Sequence, residues 1–299
     1  MSSTLPVRHL LLAVAVVAVW GTNFVVIKLA LAQLPPLLLA TLRFSFALLP
    51  ALFFLKRPAV PWRNLATYGL LIGAGQFGLL FIAMNGHISP GLASLVIQTQ
   101  VFFTIGMAMR SAGERVQPVQ WVALLLAAAG LVTIATHTDG STTPLGLAIV
   151  LVAAFCWSCG NMASRRAGRV NMLAYVVWAS AFSIPPLLVL SLVIEGPARI
   201  GTALADADAV AWGAVLWQSV GNTLFGYAVW GWLLARHPAA TITPMALLVP
   251  VFGMASSAWW LSEPLPGWKL AAAALVLGGL ALNLLWPRLR AAWGRNPPG

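Results

Sequence analysis

Charge is scarce in this chain. Asp, Glu, Lys and Arg make up 8% of its 299 residues and only six are acidic, whereas soluble domains carry about 25% charged residues. No soluble fold accounts for that balance. Cysteine is scarce too: Cys156 and Cys159 are the two present, so there is no disulfide framework to indicate an oxidising exterior. Catalytic groupings are missing as well. The sequence holds no H-E-x-x-H, no nucleophile elbow and no pair of carboxylates within an apolar segment, the arrangements on which hydrolytic and acid–base enzymes depend. The four histidines, His9, His87, His137 and His237, lie near segment ends without metal-ligand spacing. No enzyme, metal site or cofactor is expected.

What the chain has in abundance is apolar length. Hydrophobic residues make up 60% of it, in recurring runs of about 20 residues, each long enough as a helix to cross a hydrocarbon core of about 30 Å. The expected class is an all-α integral membrane protein embedded in a lipid bilayer. Polar and proline breaks divide the apolar length into ten segments: 9–32, 36–55, 65–85, 90–109, 118–137, 144–164, 171–194, 210–235, 238–261 and 266–287. Connections are short apart from the stretch between Glu195 and Asp208. The first segment imitates a signal peptide, with Arg8 before it and Ala30-Leu31-Ala32 after it. However, Leu10 to Ile27 exceeds a signal h-region of about 7–15 residues, and Lys28 precedes the small residues, so it reads as a spanning helix.

The basic excess, with a pI near 11.3, would fit nucleic acid if it formed a face. Here it is scattered through short loops, so no nucleic-acid partner is expected, and membrane topology accounts for it. With both termini cytoplasmic, 13 of 17 basic residues fall on that side: Arg8, Lys56, Arg57, Arg63, Arg110, Arg115, Arg165, Arg166, Arg169, Arg236, Arg288, Arg290 and Arg295. That agrees with the positive-inside rule. Lys28, Arg43, Arg199 and Lys269 remain, and five of the six acids, Asp139, Glu195, Asp206, Asp208 and Glu263, fall outside.

The chain also repeats itself. Gly73 to Gly78 and Gly221 to Gly226 share G-x-x-x-F-G at an offset of 148, which Pro90 and Pro238 keep. Trp20 and Trp157 lie 137 apart, while Glu114 and Glu263, like Gly130 and Gly279, lie 149 apart. A loop insertion between matched helices produces such a change of offset. Each half then holds five spans. Five is odd, so the second copy is inverted, the architecture of secondary transporters that rock around a site near the midplane. The expected domains are a first five-helix repeat over 1–140, an inverted second repeat over 141–290, and a cytoplasmic tail over 291–299.

Two motifs have ordinary explanations. Gly73-Ala74-Gly75-Gln76-Phe77-Gly78 matches G-x-G-x-x-G but lacks the strand before it and the acid about 20 residues after it that nucleotide binding needs. Close packing is expected instead, reinforced by the G-x-x-x-G spacing of Gly69 and Gly73. Cys156-Trp157-Ser158-Cys159 spells C-x-x-C in an apolar helix with no cation before Arg165, so inert thiols are expected.

In joint order, Trp20-Gly21-Thr22-Asn23, the Pro36 to Arg43 spacing, Gly113-Glu114-Arg115 and a weaker second copy from Trp157 to Glu263 resemble the EamA-domain branch of the drug/metabolite transporter superfamily, ten-helix exporters. The resemblance covers nearly the whole chain. It is greatest to members that export amino acids, aromatic ones included, and other small metabolites. Two departures stand out: Ser180, not a basic residue, lies 137 positions after Arg43, and Asn161 follows Trp157 one place later than Asn23 follows Trp20.

Candidate substrate-binding residues follow from polarity inside apolar spans. Lys28 lies about 6 Å and Arg43 about 9 Å from the outer side along their helices. Each has two roles open to it. Lys28 can snorkel to the interface, and Arg43 can hold backbone carbonyls, or both can make the outer pathway attractive to a carboxylate. Asn23, Gln76, Gln98, Asn161 and Asn222 can bind a zwitterion or tie helices together. Trp20, Trp157, Trp178, Tyr227 and Trp230 can form a stacking wall or ordinary packing, while Trp260, Trp268 and Trp286 near span ends suit an interfacial belt. Pro244, Pro250 and Pro185-Pro186 are candidate hinges or static kinks. No acid lies well inside a span, which disfavours a proton relay. The expected function is inner-membrane export of amino acids and related metabolites by alternating access, through facilitated diffusion or exchange. A carrier of another class, such as one for nucleotide-sugars, or a non-transport membrane protein, is the rival.

Overall fold

The structure, a computed structural model, describes residues 6–112, 118–137, 142–237 and 239–293, with side chains described except at 108–112, 239–240 and 287–293. Gly113, Glu114, Arg115, Asp139, Pro238 and Arg295 lie outside the described residues. Among the described residues every element is a helix.

Helix α1 spans Val7–Ala30 and α2 spans Pro36–Leu52. α3 covers Trp62–Met84 and α4 covers 90–112, followed by α5 (Pro118–Thr136), α6 (Pro144–Arg166) and α7 (Met172–Glu195). A short α8, Pro197–Asp206, precedes α9 (209–236), α10 (239–260) and α11 (Gly267–Trp293). Seven of these, α1, α3, α4, α5, α6, α7 and α11, are long and apolar enough to cross a membrane. Their outer faces are apolar: Leu11, Leu70, Leu125, Phe155 and Val193 all lie exposed. In water this would be a liability, but in lipid it is the ordinary outer face of a bundle.

The sequence explains where helices begin. Proline opens α2, α4, α6 and α8, where its missing N–H would be unbonded in any case. Thr143, Asn171 and Asp208 cap α6, α7 and α9 by accepting from the backbone N–H groups of Gly146, Ala174, and both Val210 and Ala211. Two internal irregularities occur in pairs. π-helical stretches lie at Leu70–Gly78 in α3 and Trp217–Phe225 in α9, and 3₁₀ turns lie at Ile97–Thr99 in α4 and Thr243–Leu247 in α10. The first π stretch contains the whole G-x-x-x-F-G motif and the second all of it but the closing Gly226; a third π stretch, Ser191–Glu195, ends α7.

Small residues set the closest helix contacts. An added Cβ on Gly130 of α5 would meet Val276 Cγ2 at 2.6 Å, and one on Gly279 of α11 would meet Ala123 O at 2.5 Å. The two glycines, 149 apart in sequence, therefore let the same two helices approach from opposite sides. Gly69 and Gly73 press on Ala179 and Ser183 of α7, and Ser183 Oγ donates to Gly69 O at 2.8 Å. α2 packs on α7, α1 on α9 and α10, and α6 on α3 and α4.

The stretch expected to be a plain connection differs. It forms α8, too short and polar to register as a span, which buries Ile200 and Ala203. Glu195 just before it is buried, and its carboxylate accepts from the N–H groups of Leu37 at 2.6 Å and Leu38 at 3.0 Å, closing the N-terminus of α2. Lys269, near the start of the tenth segment and off the side where most basic residues fall, is fully buried and paired with Glu263 at 3.1 Å.

Candidate functional site

A cavity of about 500 Å³ lies between α1, α3, α4, α6, α9 and α10. Its wall begins with Trp20 on α1, whose indole Nε1 donates to Asn222 O at 3.1 Å. That carbonyl sits in a π stretch, where the i→i+5 pattern leaves backbone oxygens less committed to the helix. Gly226 makes the approach possible, since a Cβ there would collide with Trp20 Nε1. The ring centroids of Tyr227 and Trp230 lie 5.8 and 5.2 Å from that of Trp20, giving a tilted aromatic corner.

Amides face this corner. Asn161 on α6 donates to Gln100 Oε1 at 2.9 Å. Gln76 and Asn222 come from the two π stretches, and Gln98 from the 3₁₀ turn of α4. Asn23 is buried, and its Oδ1 has no hydrogen-bond donor among the described residues. No charged side chain is among the lining residues. A polar solute here meets dipoles that can orient to it, with no fixed charge imposed on it.

Of the ten residues singled out from the sequence, Trp20, Asn23, Gln76, Gln98, Trp157, Asn161, Asn222 and Tyr227 line this one cavity. Lys28 and Arg43 do not. Lys28 is half-buried in the last turn of α1, where a cation suits the helix C-terminus. Arg43 is buried behind the wall. Its Nη2 donates to Thr223 Oγ1 at 3.0 Å, and its Cζ lies 3.8 Å from the ring centroid of Phe77, which does line the cavity. Trp178 lies elsewhere, donating to Leu55 O and meeting Trp62 edge-on.

Tyr68, Gln100, Ser164 and Thr243 also line the cavity and were not among the candidates. Gln100 is instructive. Two residues apart on an α-helix, Gln98 and Gln100 would point about 160° from each other, and a 3₁₀ turn narrows this to about 120°. Nothing in the composition of Ile97-Gln98-Thr99 announces that turn. Tyr68 lies at an ordinary helical position before the π stretch, where only packing tells wall from core.

Comparison with known proteins bears on what the cavity serves. Residues 7–136 and 144–285 each match the model of the EamA-like transporter family. The chain is 42% identical over 285 residues to a probable amino-acid metabolite efflux pump of Salmonella typhimurium, covering 93% of this chain and 95% of that one. It is 40% identical over 287 residues to a protein of the same description in Escherichia coli, covering 94% and 96%. A probable terminal-alkyne amino-acid exporter of Streptantibioticus cattleyicolor is 26% identical over 66% of this chain and 64% of its own. In three dimensions the chain superposes on a crystal structure with a TM-score of 0.62 at 20% identity, covering 95% of this chain and 99% of the other. That likeness concerns the fold alone.

Proposed function

Since the chain belongs to the EamA-like transporter family, we propose that it is an inner-membrane exporter of amino acids, aromatic ones included, and related small metabolites. It is a multi-pass membrane transporter and not an enzyme. The observation that carries the substrate class is the cavity wall: neutral amides and aromatic faces around about 500 Å³, within the range of about 300–1,000 Å³ usual for small-molecule sites. A zwitterion keeps both its charges hydrogen-bonded by Asn23, Gln76, Gln98, Asn161 and Asn222, while Trp20, Trp157 and Tyr227 cover its side chain. The descriptions of the relatives agree with this reading.

Transport proceeds by alternating access between two inverted five-helix halves, 1–140 and 141–290, with both termini and the tail 291–299 cytoplasmic. The double match to one family model supports two halves. So do the paired π stretches and 3₁₀ turns, and the reciprocal glycines of α5 and α11. Facilitated diffusion or exchange is favoured because no Asp, Glu or His is among the described residues that line the cavity, and proton relays use such groups. A nucleotide-sugar would call for lining cations, which the wall does not supply.

Counterflow in proteoliposomes tests the reading, using a panel of amino acids, sugars and nucleotides with and without a pH gradient. Amino acids should exchange, aromatic ones among them, with no dependence on the gradient. Uptake confined to nucleotides or sugars would replace the substrate class, and gradient-driven accumulation would replace the energetics.

A further inference from the structure

The cavity wall hides a permanent charge. Arg43 exposes 1% of its surface, and among the described residues no carboxylate pairs with it. Two of its three guanidinium nitrogens, Nε and Nη1, have no acceptor among the described residues. Arginine does not escape burial by losing its proton, so a guanidinium kept in lipid-depth protein needs a compensating partner.

Its surroundings combine aromatic faces with hydroxyls and come from both halves of the chain. Phe77, stacked on the guanidinium at 3.8 Å, lies in the π stretch Leu70–Gly78, and Thr223, which accepts from Nη2, lies in the π stretch Trp217–Phe225. Ser219 Oγ donates to Arg43 O at 3.0 Å. Gln218, in the same π stretch as Thr223, is fully buried, and neither of its side-chain polar atoms has a partner among the described residues. Such unmatched groups mark places that a polar ligand or water completes. The Phe77 ring, itself part of the cavity wall, lies over the guanidinium at 3.8 Å, and the Phe44 ring flanks it at 5.0 Å.

We propose that Arg43 is the anchor of a concealed anion site that takes a small monovalent anion, carboxylate or halide, once the Phe77 ring moves off the guanidinium. In the closed arrangement the ring face partly balances the charge through a cation–π contact. In the occupied arrangement charge-assisted hydrogen bonds, about twice as strong as neutral ones, replace it. The anion comes either from the transported molecule's own carboxylate or from inorganic halide in solution. The first source rests on the reading of the cavity as the substrate path, whereas the second does not. Because the grip on Arg43 joins the two π stretches, occupancy links the halves that rock against each other.

The test uses the purified full-length protein in detergent, with binding read from tryptophan fluorescence and stability from thermal unfolding. Phenylalanine is compared with phenylalaninamide, and sodium bromide with sodium gluconate, in wild type, Arg43→Gln, Arg43→Lys and Phe77→Leu. If the substrate carboxylate is the anion, wild type binds the acid about tenfold more tightly than the amide, and Arg43→Gln reduces that ratio to about twofold or less. If halide is the anion, bromide stabilises wild type and strengthens amide binding, and Arg43→Gln abolishes both effects. Phe77→Leu, which removes the partition and keeps the charge, should enlarge whichever response wild type gives. Should Arg43→Gln fail to fold, Phe77→Leu and Arg43→Lys decide by the same ratios. The site is overturned if wild type shows neither response, if both persist in Arg43→Gln, or if Phe77→Leu leaves them unchanged. Bromide stabilisation through Arg43 without any amino-acid counterflow would sink the export reading and leave this site standing. Counterflow of acid and amide alike, in wild type and Arg43→Gln, would do the reverse.

Discussion

A lysine with no exposed surface must have its charge met where it sits. Lys269 Nζ lies 3.1 Å from Glu263, whose carboxylate also accepts from the Ser89 hydroxyl and the Gly91 N–H. Removing one member of a buried pair strands the other, at a cost of about 3–5 kcal/mol. Glu263→Gln should therefore lower stability by that order in detergent unfolding, and Glu263→Gln combined with Lys269→Met should recover much of the loss. An unchanged midpoint in the single variant would mean that Lys269 is compensated by other groups. Asn23 presents the opposite case, a buried acceptor with no donor among the described residues. Asn23→Leu should keep or raise stability, since it removes an unmatched polar atom, and should cut amino-acid counterflow by about tenfold or more. A variant that transports normally would show Asn23 to be mere wall. These amides were legible in the sequence because a polar side chain in an apolar run is conspicuous. The pairing of Lys269 with Glu263 was not, since a six-residue separation across a turn has no fixed geometry. Nor was the concealment of Arg43, because rise per residue gives depth along a helix but not what packs in front of it.

At the scale of elements, helix ends were easier to read than helix interiors. Proline and the Thr143, Asn171 and Asp208 caps leave signals that a sequence displays. The π stretches do not, since i→i+5 bonding has no compositional mark, although the G-x-x-x-F-G repeat showed that both places share a constraint. α8 escaped notice because its ten residues bury only one narrow face. Asp208, exposed ahead of α9, supplies a prediction in pH. The N–H of Ala211, then the side chain of Gln33, hold its carboxyl below the ordinary carboxylate range. A lowered folded-state value means that its contribution is fully present above the unfolded value of about 3.9 and is lost as pH falls through the lower folded one. Asp208→Ala should thus be less stable than wild type at pH 7, and the gap between the two unfolding midpoints should close only below about pH 4. A gap that closes between pH 5 and 7 would assign the titration to another group.

For the whole molecule the issue is why a transporter would carry the same design twice. A carrier needs two states of nearly equal free energy, one open to each side, and a chain whose halves are related by inversion provides them by exchanging the conformations of its halves. The cavity has the matching character: Trp20 and Trp157 both line it, and the π stretches contribute Gln76 and Asn222. On this reading the loop after α4 and the loop before α11, equivalent in the two halves, lie on opposite faces of the membrane. Sidedness can be read with single cysteines in a background where Cys156 and Cys159 are replaced by serine. Glu114→Cys reports the first loop. Gly267→Cys reports the second, at a position where a Cβ meets nothing within 4 Å, so the carboxylate of Glu263 is left in place. In sealed right-side-out vesicles an impermeant maleimide should modify Gly267→Cys at once and Glu114→Cys only after permeabilisation. Modification of both from the same side would remove the inversion. The two states would then lack a symmetry reason to be close in energy, and alternating access would need a different physical basis.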